Sequence, residues 1–283
     1  MSCNLEKSFF LNINKPKGIT SFDVVAKLRK ILNIKKIGHA GTLDPLAQGV
    51  LPVAIGKYTR LIEYLDDDKE YIAKIKFGEN STTYDDEGEK TFIKNPDFSL
   101  SDLENAIKCF TGEIEQKPPM YSAIKIKGQK LYELARKGKE IEVPKRKVEI
   151  YDIKILNFEL PYCEIKVSCS KGTYIRSLAY DLGEKLACGA YILELKRTKV
   201  GKFQIENSQN IEDDLIKILP KDVLPFEEYE LNDVEYEKIM NGIPIETTLM
   251  GDDRYLSLIY DKKVVSISKK FGNIIKVEKN LKG

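Results

Sequence analysis

Alternating apolar and polar residues recur along the chain and predict several strands. Within 71–77 every second residue is apolar and lysines stand between them, so we interpret this segment as a half-buried antiparallel strand. The same alternation predicts strands over 149–155 and 162–169. It also predicts a hairpin formed by 255–260 and 263–267 near the end of the chain.

Helical periodicity appears between the strands. A first helix is expected to begin after a cap at Thr20 or Ser21 and to end at Leu32, with one apolar face. The sequence SDLE at 101–104 matches a capping box that opens a second helix, ending near Phe110. The predicted apolar face of the first helix consists of Phe22, Val25, Ala26, Leu28 and Leu32.

The stretch 38–57 follows neither period and gathers unusual residues. It contains the only histidine of the chain, His39, and several glycines, which permit backbone dihedrals that other residues avoid. Pro45 disfavours the helical conformation for Asp44, so we expect this carboxylate on a shaped loop. The apolar run at 50–55 predicts a buried strand that anchors the loop. From these residues alone, either the carboxylate of Asp44 or the imidazole of His39 could be the main reactive group.

Length and composition are those of a globular protein with a substantial core. The chain has 283 residues, of which 42% are hydrophobic and 32% charged, which suits one large domain with or without a small one. No apolar stretch approaches the roughly 20 residues of a membrane span. Residues 1–7 lack the plan of a signal peptide, so we expect a cytoplasmic protein. Pro220 and Pro225, among charged residues, predict a linker.

Several common catalytic motifs are missing from the sequence. The five cysteines are scattered and never spaced as C-x-x-C, so neither a disulfide framework nor a zinc site is indicated. A single histidine excludes a His-rich metal cluster, and neither a phosphate-binding loop nor a G-x-S-x-G elbow is present. We therefore expect neither a metal nor a cofactor. An aspartate on a shaped loop can still act as a nucleophile.

Positive charge is concentrated in one segment. The chain carries a net charge of +2, whereas 117–154 alone contains 11 Lys or Arg and 5 Asp or Glu, a net charge of +6. Such a cluster is either a solvated face or a surface that meets phosphates. Two of its tyrosines, Tyr121 and Tyr132, could stack on bases while the lysines follow a nucleic-acid backbone.

Arg176 is placed awkwardly for the helix that carries it. Thr173 is the expected N-cap of a helix that ends near Leu186, which puts Arg176 in the first turn. The helix dipole disfavours a cation there, so a carboxylate partner would explain the arginine, although a surface position is also compatible with the sequence.

Two further groups of charged residues allow more than one interpretation. Lys15 and Lys17 flank Pro16 at a turn, where they could meet a phosphate, contact the following loop or simply be exposed. The acidic loop 80–88, around Asp85, lacks the ligand spacing of a calcium loop, and we interpret it as a solvated turn.

Several motifs in a fixed order resemble one known family. They are NKPKG at 14–18, GHAGTLDP at 38–45, GVLP at 49–52, Tyr71 and SKGTYIR at 170–176. Together they resemble the TruB family of tRNA pseudouridine synthases over nearly the whole chain. The bacterial form, which modifies the T-loop uridine at position 55 of tRNA, is the most similar.

The resemblance implies an α+β fold and two domains. Residues 1–225 would form a catalytic domain built on a largely antiparallel sheet with flanking helices. The basic segment, at about 117–150, would be an RNA-gripping insertion. Residues 226–283 would form a small β-rich, PUA-like domain that binds RNA.

The resemblance also implies roles for individual residues. Asp44 would be the nucleophile that lets uracil detach from the ribose at N1, turn and rejoin the ribose through C5. Arg176 would pair with Asp44, and Tyr71 would stack on the base and assist proton removal. His39 would hold the T-loop with the nucleotide flipped out, because the bond to be broken lies inside a stacked loop.

Other family positions would support the loop or contact RNA. Thr198 departs from the family pattern, which commonly has an apolar residue beneath the target base. Asp85 matches a position near the active site. The remaining supporting and RNA-contacting positions would be Lys15, Pro16, Gly41, Thr42, Leu43, Tyr121, Lys125, Lys127 and Lys130.

Three functions are compatible with these patterns. The favoured one is a monomeric RNA isomerase that acts on the T-arm of tRNA without metal or cofactor. The alternative is a non-catalytic protein that binds or folds tRNA, suggested by the basic segment 117–154. A small-molecule hydrolase that uses Asp44 would leave that segment unexplained.

Overall fold

A computed structural model describes residues 7–122, 124–126, 128–131, 135, 141 and 143–281. Most of its strands lie in two sheets. Numbered along the chain, the strands are β1 (Phe10–Lys15), β2 (Ile37–His39), β3 (Gln48–Ile55), β4 (Lys69–Phe77), β5 (Glu79–Ser81), β6 (Lys90–Phe92), β7 (Gly112–Gln116), β8 (Lys125–Ile126), β9 (Gln129–Lys130), β10 (Arg146–Glu159), β11 (Tyr162–Cys169), β12 (Ala190–Val200), β13 (Phe203–Gln204), β14 (Glu227–Glu230), β15 (Ile245–Glu246), β16 (Arg254–Tyr260), β17 (Lys263–Phe271) and β18 (Ile274–Asn280).

The larger sheet has the strand order β1-β3-β12-β4-β11-β10-β7, with β2 beside β3 and β13 beside β12. All its pairs are antiparallel except β3 with β12. The smaller sheet has the order β14-β16-β17-β18-β15. The two remaining strand pairs are β5 with β6 and β8 with β9. The largely antiparallel sheet that the sequence predicts is therefore confirmed.

Helices lie beside the sheets, and among the described residues they are fewer than the strands. Their bounds are α1 (Ser21–Leu32), α2 (Leu100–Lys108), α3 (Ile175–Lys185), α4 (Pro220–Val223) and α5 (Asp233–Met240), and 3-10 turns cover Gly56–Tyr64 and Ile205–Asn207. Within the described ranges, every helix is too short or too polar to span a bilayer. The predicted mixed α+β class is confirmed.

The first helix begins after Thr20, as predicted, but its buried face differs from the prediction. Thr20 and Asp23 form a reciprocal capping box at its start. Phe22 is exposed, and Val24 occupies the core in its place. The helix is rotated about its axis relative to the prediction, so that Val24, Val25 and Leu28 lie on the side that faces the large sheet.

Two predicted helix caps are wrong. The second helix begins after Ser99 rather than Ser101. Asp102 completes a capping box with Ser99, in the role that the prediction gave to Glu104. The third begins after Tyr174, whose N–H donates to the Gln116 side chain at 2.7 Å. Thr173 instead donates its hydroxyl to the Ser170 carbonyl.

Two hydrophobic cores lie on opposite faces of the large sheet. One fills the space between the sheet and α1, α2 and α3. The other joins Phe10, Val50 and Phe203 of the large sheet to side chains of the smaller one, such as Leu258 and Ile267. The smaller sheet therefore packs directly on the larger, and the domain boundary at 225/226 stays a prediction.

The parallel contact between β3 and β12 depends on Gly49. This residue lies opposite Arg197 and has φ +107°, a backbone conformation that side chains disfavour. A β-carbon there would overlap the backbone carbonyl of Arg197. Glycine therefore lets the two strands approach each other.

We expect Gly49→Ala to lower the free energy of unfolding by about 3 kcal/mol, because steric overlap adds to backbone strain. Urea unfolding measures this change. The matched control is Gly112→Ala, since Gly112 has φ +95° but open space where a β-carbon would go. Equal losses in the two variants would show that strand approach does not require Gly49.

Candidate active site

A cavity of about 410 Å³ opens where the loop before β3 meets β4, β12 and the start of α3. Its wall combines apolar side chains with charged groups of both signs. Among the residues that line it are Gly41, Thr42, Leu43, Asp44, Asp66, Asp67, Lys69, Tyr71, Tyr174, Arg176, Leu195 and Arg197. Most of the residues predicted to act in catalysis therefore share one cavity.

The loop that carries Asp44 is held at several points. The Ser21 hydroxyl accepts a hydrogen bond from the Leu43 N–H at 2.8 Å and donates to the Leu43 carbonyl at 3.2 Å. The Asp44 carbonyl closes a turn with the Ala47 N–H at 3.1 Å, and the Pro45 carbonyl accepts from the N–H of Gly18. The Asp44 carboxylate is thus presented from a backbone with little freedom.

Asp44 forms an ion pair with Arg176 across the cavity. Their Oδ2 and Nη2 atoms are 2.7 Å apart, and the side chains are 33% and 4% exposed. The carboxylate partner that the sequence predicts for this arginine is therefore present. Because the arginine is buried and the aspartate is not, the open side of the pair is the carboxylate.

A second carboxylate, Asp85, pairs with the same arginine. Its Oδ2 lies 3.1 Å from Nη1 of Arg176, and its side chain is only 3% exposed. The prediction that this loop is a solvated turn is therefore wrong at Asp85. Hydrogen bonds from the Thr83 hydroxyl and the Glu87 N–H also reach this carboxylate, so its burial is compensated.

Backbone carbonyls complete the surroundings of Arg176. Nη1 donates to the Thr83 carbonyl at 3.1 Å, and Nη2 donates to the Tyr121 carbonyl at 2.9 Å. The guanidinium therefore joins the Asp44 loop, the Asp85 loop and the segment that begins the basic region.

Tyr71 lies on the floor of the cavity with a buried side chain. Burial raises the pKa of its phenol, and the Arg197 guanidinium opposes that rise. Across the sheet, Tyr71 is the direct partner of Arg197 in the register of β4 and β12.

Arg197 is a residue of this cavity that sequence reasoning missed. Its side chain is fully buried and donates to the carbonyls of Gly41, Thr42 and Val50. The available signal was its position two residues after Leu195 in an alternating strand, which places both side chains on one face.

His39 lies at the end of β2, one residue before the cavity lining begins. The imidazole is half-buried, and burial lowers its pKa, which favours the neutral form. Its Nδ1 atom is buried without a hydrogen-bond partner in the described part of the chain.

Three interpretations of Lys15 are open from the sequence, namely a phosphate contact, a contact with the following loop or an exposed position, and the burial of its side chain supports a contact within the protein. Its side chain is fully buried, and Nζ donates to the carbonyls of Pro16 and Ile19 at 2.9 and 2.7 Å. Burial lowers its pKa to about 8. Lys15 instead holds the turn that contacts Pro45, while Pro16 itself is exposed.

Thr198 lies outside the cavity, which corrects the expectation that it forms the floor. Its side chain is buried and donates to Glu70 at 2.7 Å, whereas Leu195 and Val200 of the same strand line the cavity. The apolar surface that this strand gives the cavity therefore comes from these two neighbours.

The predicted RNA contacts of the basic segment are described only in part. Tyr121 is half-buried, and its carbonyl binds Arg176. Lys125 and Lys130 face each other in the pair formed by β8 and β9. Lys127 lies outside the described residues.

No metal site was found among the described residues. Nowhere in these ranges do three or more His, Cys, Asp or Glu side chains come together as metal ligands. The charged groups of the cavity are instead arranged as pairs, with two carboxylates around Arg176.

Sequence comparison identifies similar proteins over nearly the full chain. A protein named tRNA pseudouridine synthase B from Clostridium tetani is 44% identical and is matched over 96% of this chain and 98% of its own length. A protein of the same name from Clostridium kluyveri is 46% identical over 91% of this chain and 90% of its own.

Solved structures show the same fold. In a structure titled as a Cbf5-Nop10-Gar1 complex, the matching chain has a TM-score of 0.72 and 27% identity, covering 96% of this chain and 84% of that one. A structure of an H/ACA RNP bound to a substrate RNA contains a match with TM-score 0.72 and 25% identity, covering 97% of this chain and 85% of that one.

Two family models cover most of the sequence between them. Residues 29–175 match the N-terminal domain of TruB family pseudouridylate synthase, and residues 176–228 match the C-terminal domain of tRNA pseudouridylate synthase B. The first model alone spans more than half of the 283 residues. With the long matches to named relatives, this shows that the chain belongs to the TruB family of pseudouridylate synthases.

Proposed function

We propose that the protein isomerises uridine to pseudouridine at position 55, in the T-loop of tRNA. Membership of the TruB family and relatives named tRNA pseudouridine synthase B support this proposal. The observation that carries it is the pairing of the partly exposed carboxylate of Asp44 with the buried guanidinium of Arg176 in the cavity. Such a pair presents one oriented oxygen nucleophile to a bound substrate.

The proposed reaction rearranges one nucleotide. The bond between N1 of uracil and the ribose breaks, the base turns, and C5 bonds to the same ribose carbon. C5 loses its proton, while N1 of the product carries one. Since the atoms of substrate and product are the same, we propose that no cofactor or metal takes part.

Asp44 acts as the nucleophile in this proposal. The Arg176 guanidinium, 2.7 Å away, sets a positive charge against the carboxylate and fixes its direction. An oxygen in this position can attack either the pyrimidine or the sugar carbon, and both routes break the bond between N1 and the ribose.

Tyr71 acts on the base. It lies in the same cavity as Asp44, on a rigid strand in the middle of the large sheet. We assign its ring to stack on the flipped uracil and its phenolic oxygen to assist removal of the C5 proton. Leu195 and Val200 supply apolar surface beside it.

The target nucleotide has to leave its stack to reach Asp44. A uridine within a stacked loop cannot bring its glycosidic bond to a carboxylate inside a cavity, so the proposal includes base flipping. His39 and Pro16 border the Asp44 loop, and we assign them to hold the T-loop in the opened form.

The basic segment is assigned to the tRNA backbone. Its net charge of +6 suits a surface that follows phosphates, and Tyr121 joins this segment to Arg176. Lys125, Lys127 and Lys130 are the proposed contacts. We further propose that residues 226–283 form a PUA-like domain that binds RNA and that the protein acts as a monomer in the cytoplasm.

We expect Asp44→Asn to lower pseudouridine formation to less than about one-thousandth of the wild-type rate, because the nucleophile is lost. Release of tritium from C5-labelled uridine in a T-arm stem-loop measures turnover. Asp66→Asn is the control, since Asp66 is a carboxylate at the same cavity. Binding without turnover in the wild-type protein would favour the alternative, a protein that only binds or folds tRNA.

We expect Asp85→Asn to lower the free energy of unfolding by about 3 kcal/mol, because a buried ion pair loses its charged partner. Asp86→Asn is the matched control. Asp86 is exposed and pairs with Lys90 at 3.4 Å, so its loss should change stability by less than about 0.5 kcal/mol. Denaturant unfolding of both variants measures the difference, and similar values would contradict the structural role of Asp85.

We expect replacement of Lys145 and Arg146 by glutamine to weaken the salt dependence of kcat/KM. Both side chains are exposed in the basic segment, and each lost phosphate contact should reduce the log–log salt slope by about 0.7. The paired control replaces Lys30 and Lys35, two exposed lysines far from this segment in the sequence. An unchanged slope in the first variant would exclude these residues from the tRNA contact.

A further inference from the structure

Arg197 is a buried cation to which the proposed mechanism assigns no role. Its side chain has no exposed surface, and a guanidinium in the interior is costly unless its N–H groups are bonded. Among the described residues, no carboxylate lies within 4.0 Å of it, in contrast to Arg176 with two such partners. Its position therefore has to be explained by what its N–H groups reach.

Three of those groups bind the backbone around the Asp44 loop. Nε donates to the Val50 carbonyl at 2.8 Å, Nη2 to Gly41 at 2.9 Å and Nη1 to Thr42 at 3.4 Å. Gly41 and Thr42 come immediately before Leu43 and Asp44, whereas Val50 lies in β3 beyond it. The guanidinium therefore ties both ends of the loop to β12.

The same guanidinium lies beside Tyr71. The two residues are direct partners in the register of β4 and β12, so their side chains leave the sheet on one face about 5 Å apart at Cβ. Both line the cavity. A cation in this position favours negative charge on a neighbouring phenolic oxygen.

We propose that Arg197 is a positioning residue that couples Asp44 to Tyr71, by holding the nucleophile loop and by placing a fixed positive charge against the Tyr71 oxygen. The proposal rests on the proposed function for the roles of those two residues. The coupling itself is a property of the free protein.

Other charged groups around Tyr71 set the background for this coupling. Burial raises the pKa of Tyr71, Arg197 opposes the rise, and Cys169 on β11 and Asp44 add to it. Lys69 on β4 and Arg176 on α3 line the same cavity. Arg176 is engaged by two carboxylates, and among the cations that line the cavity Arg197 is the direct cross-strand partner of Tyr71 and the one that opposes the rise in its pKa.

The experiment places 3,5-difluorotyrosine at position 71 of the full chain and follows its ¹⁹F resonance against pH. Fluorination brings the phenol titration into a range in which the protein stays folded. We expect Arg197→Gln to raise the titration midpoint by about one pH unit or more, since the opposing charge is gone. Lys199→Gln is the control, because it removes a lysine from an exposed position of the same strand. We expect the control to leave the midpoint unchanged.

A second variant separates the charge from the hydrogen bonds. Arg197→Lys keeps the positive charge, but its single nitrogen cannot reproduce the planar spread of donors with which the guanidinium reaches three carbonyls, so we expect a wild-type midpoint, an unchanged KM for the stem-loop and a kcat lower by about 100-fold. A folded Arg197→Gln protein with the wild-type midpoint would overturn the coupling. If Arg197→Gln does not fold, an Arg197→Lys protein with the full wild-type kcat would overturn it.

These measurements distinguish failure of this proposal from failure of the proposed function. The ¹⁹F titration needs no substrate, so it tests the contact between Arg197 and Tyr71 even in a protein without turnover. Conversely, if the wild-type enzyme is active but Arg197→Gln leaves the titration midpoint of position 71 unchanged, the proposed function stands and only this inference is contradicted.

Discussion

Burying a guanidinium is costly unless its N–H groups meet acceptors, and at the centre of the molecule both Nη atoms of Arg176 have such partners, while its Nε atom has none among the described residues. Asp44 and Asp85 supply its two carboxylates, and the carbonyls of Thr83 and Tyr121 supply further acceptors. These four residues come from three segments far apart in the sequence. Contacts with one side chain therefore bring together the Asp44 loop, the acidic loop and the start of the basic segment at the first turn of α3.

The division of labour between the two carboxylates follows from their exposure. The Asp85 side chain is buried and pairs with Arg176 away from solvent, whereas a third of the Asp44 side chain is exposed at the cavity. Arg176 is thus anchored by Asp85, while the Asp44 carboxylate that also pairs with it keeps one open side. An arginine paired with Asp44 alone would be less constrained, because a single exposed ion pair contributes little to orientation or stability.

The large sheet provides the rigid base for this arrangement. β3 and β12 approach closely at Gly49, which lets Arg197 reach from β12 to the loop that leads into β3. Cores on both faces of the sheet immobilise these strands. Loops held by such a base keep a reactive group in one geometry, which is how many enzymes combine a mobile substrate with a fixed site.

Local patterns in the sequence determined the strand of 71–77, the first helix after Thr20 and the loop around Asp44, and they offered a carboxylate partner as one of two interpretations of Arg176. These features follow from residues within a few positions of one another, so periodicity, proline and helix-dipole rules suffice. The burial of Asp85, Lys15 and Arg197 was decided only by the tertiary structure. Each of these residues is charged, so the sequence alone favours an exposed position. Its burial is possible because folding brings hydrogen-bonding partners near it.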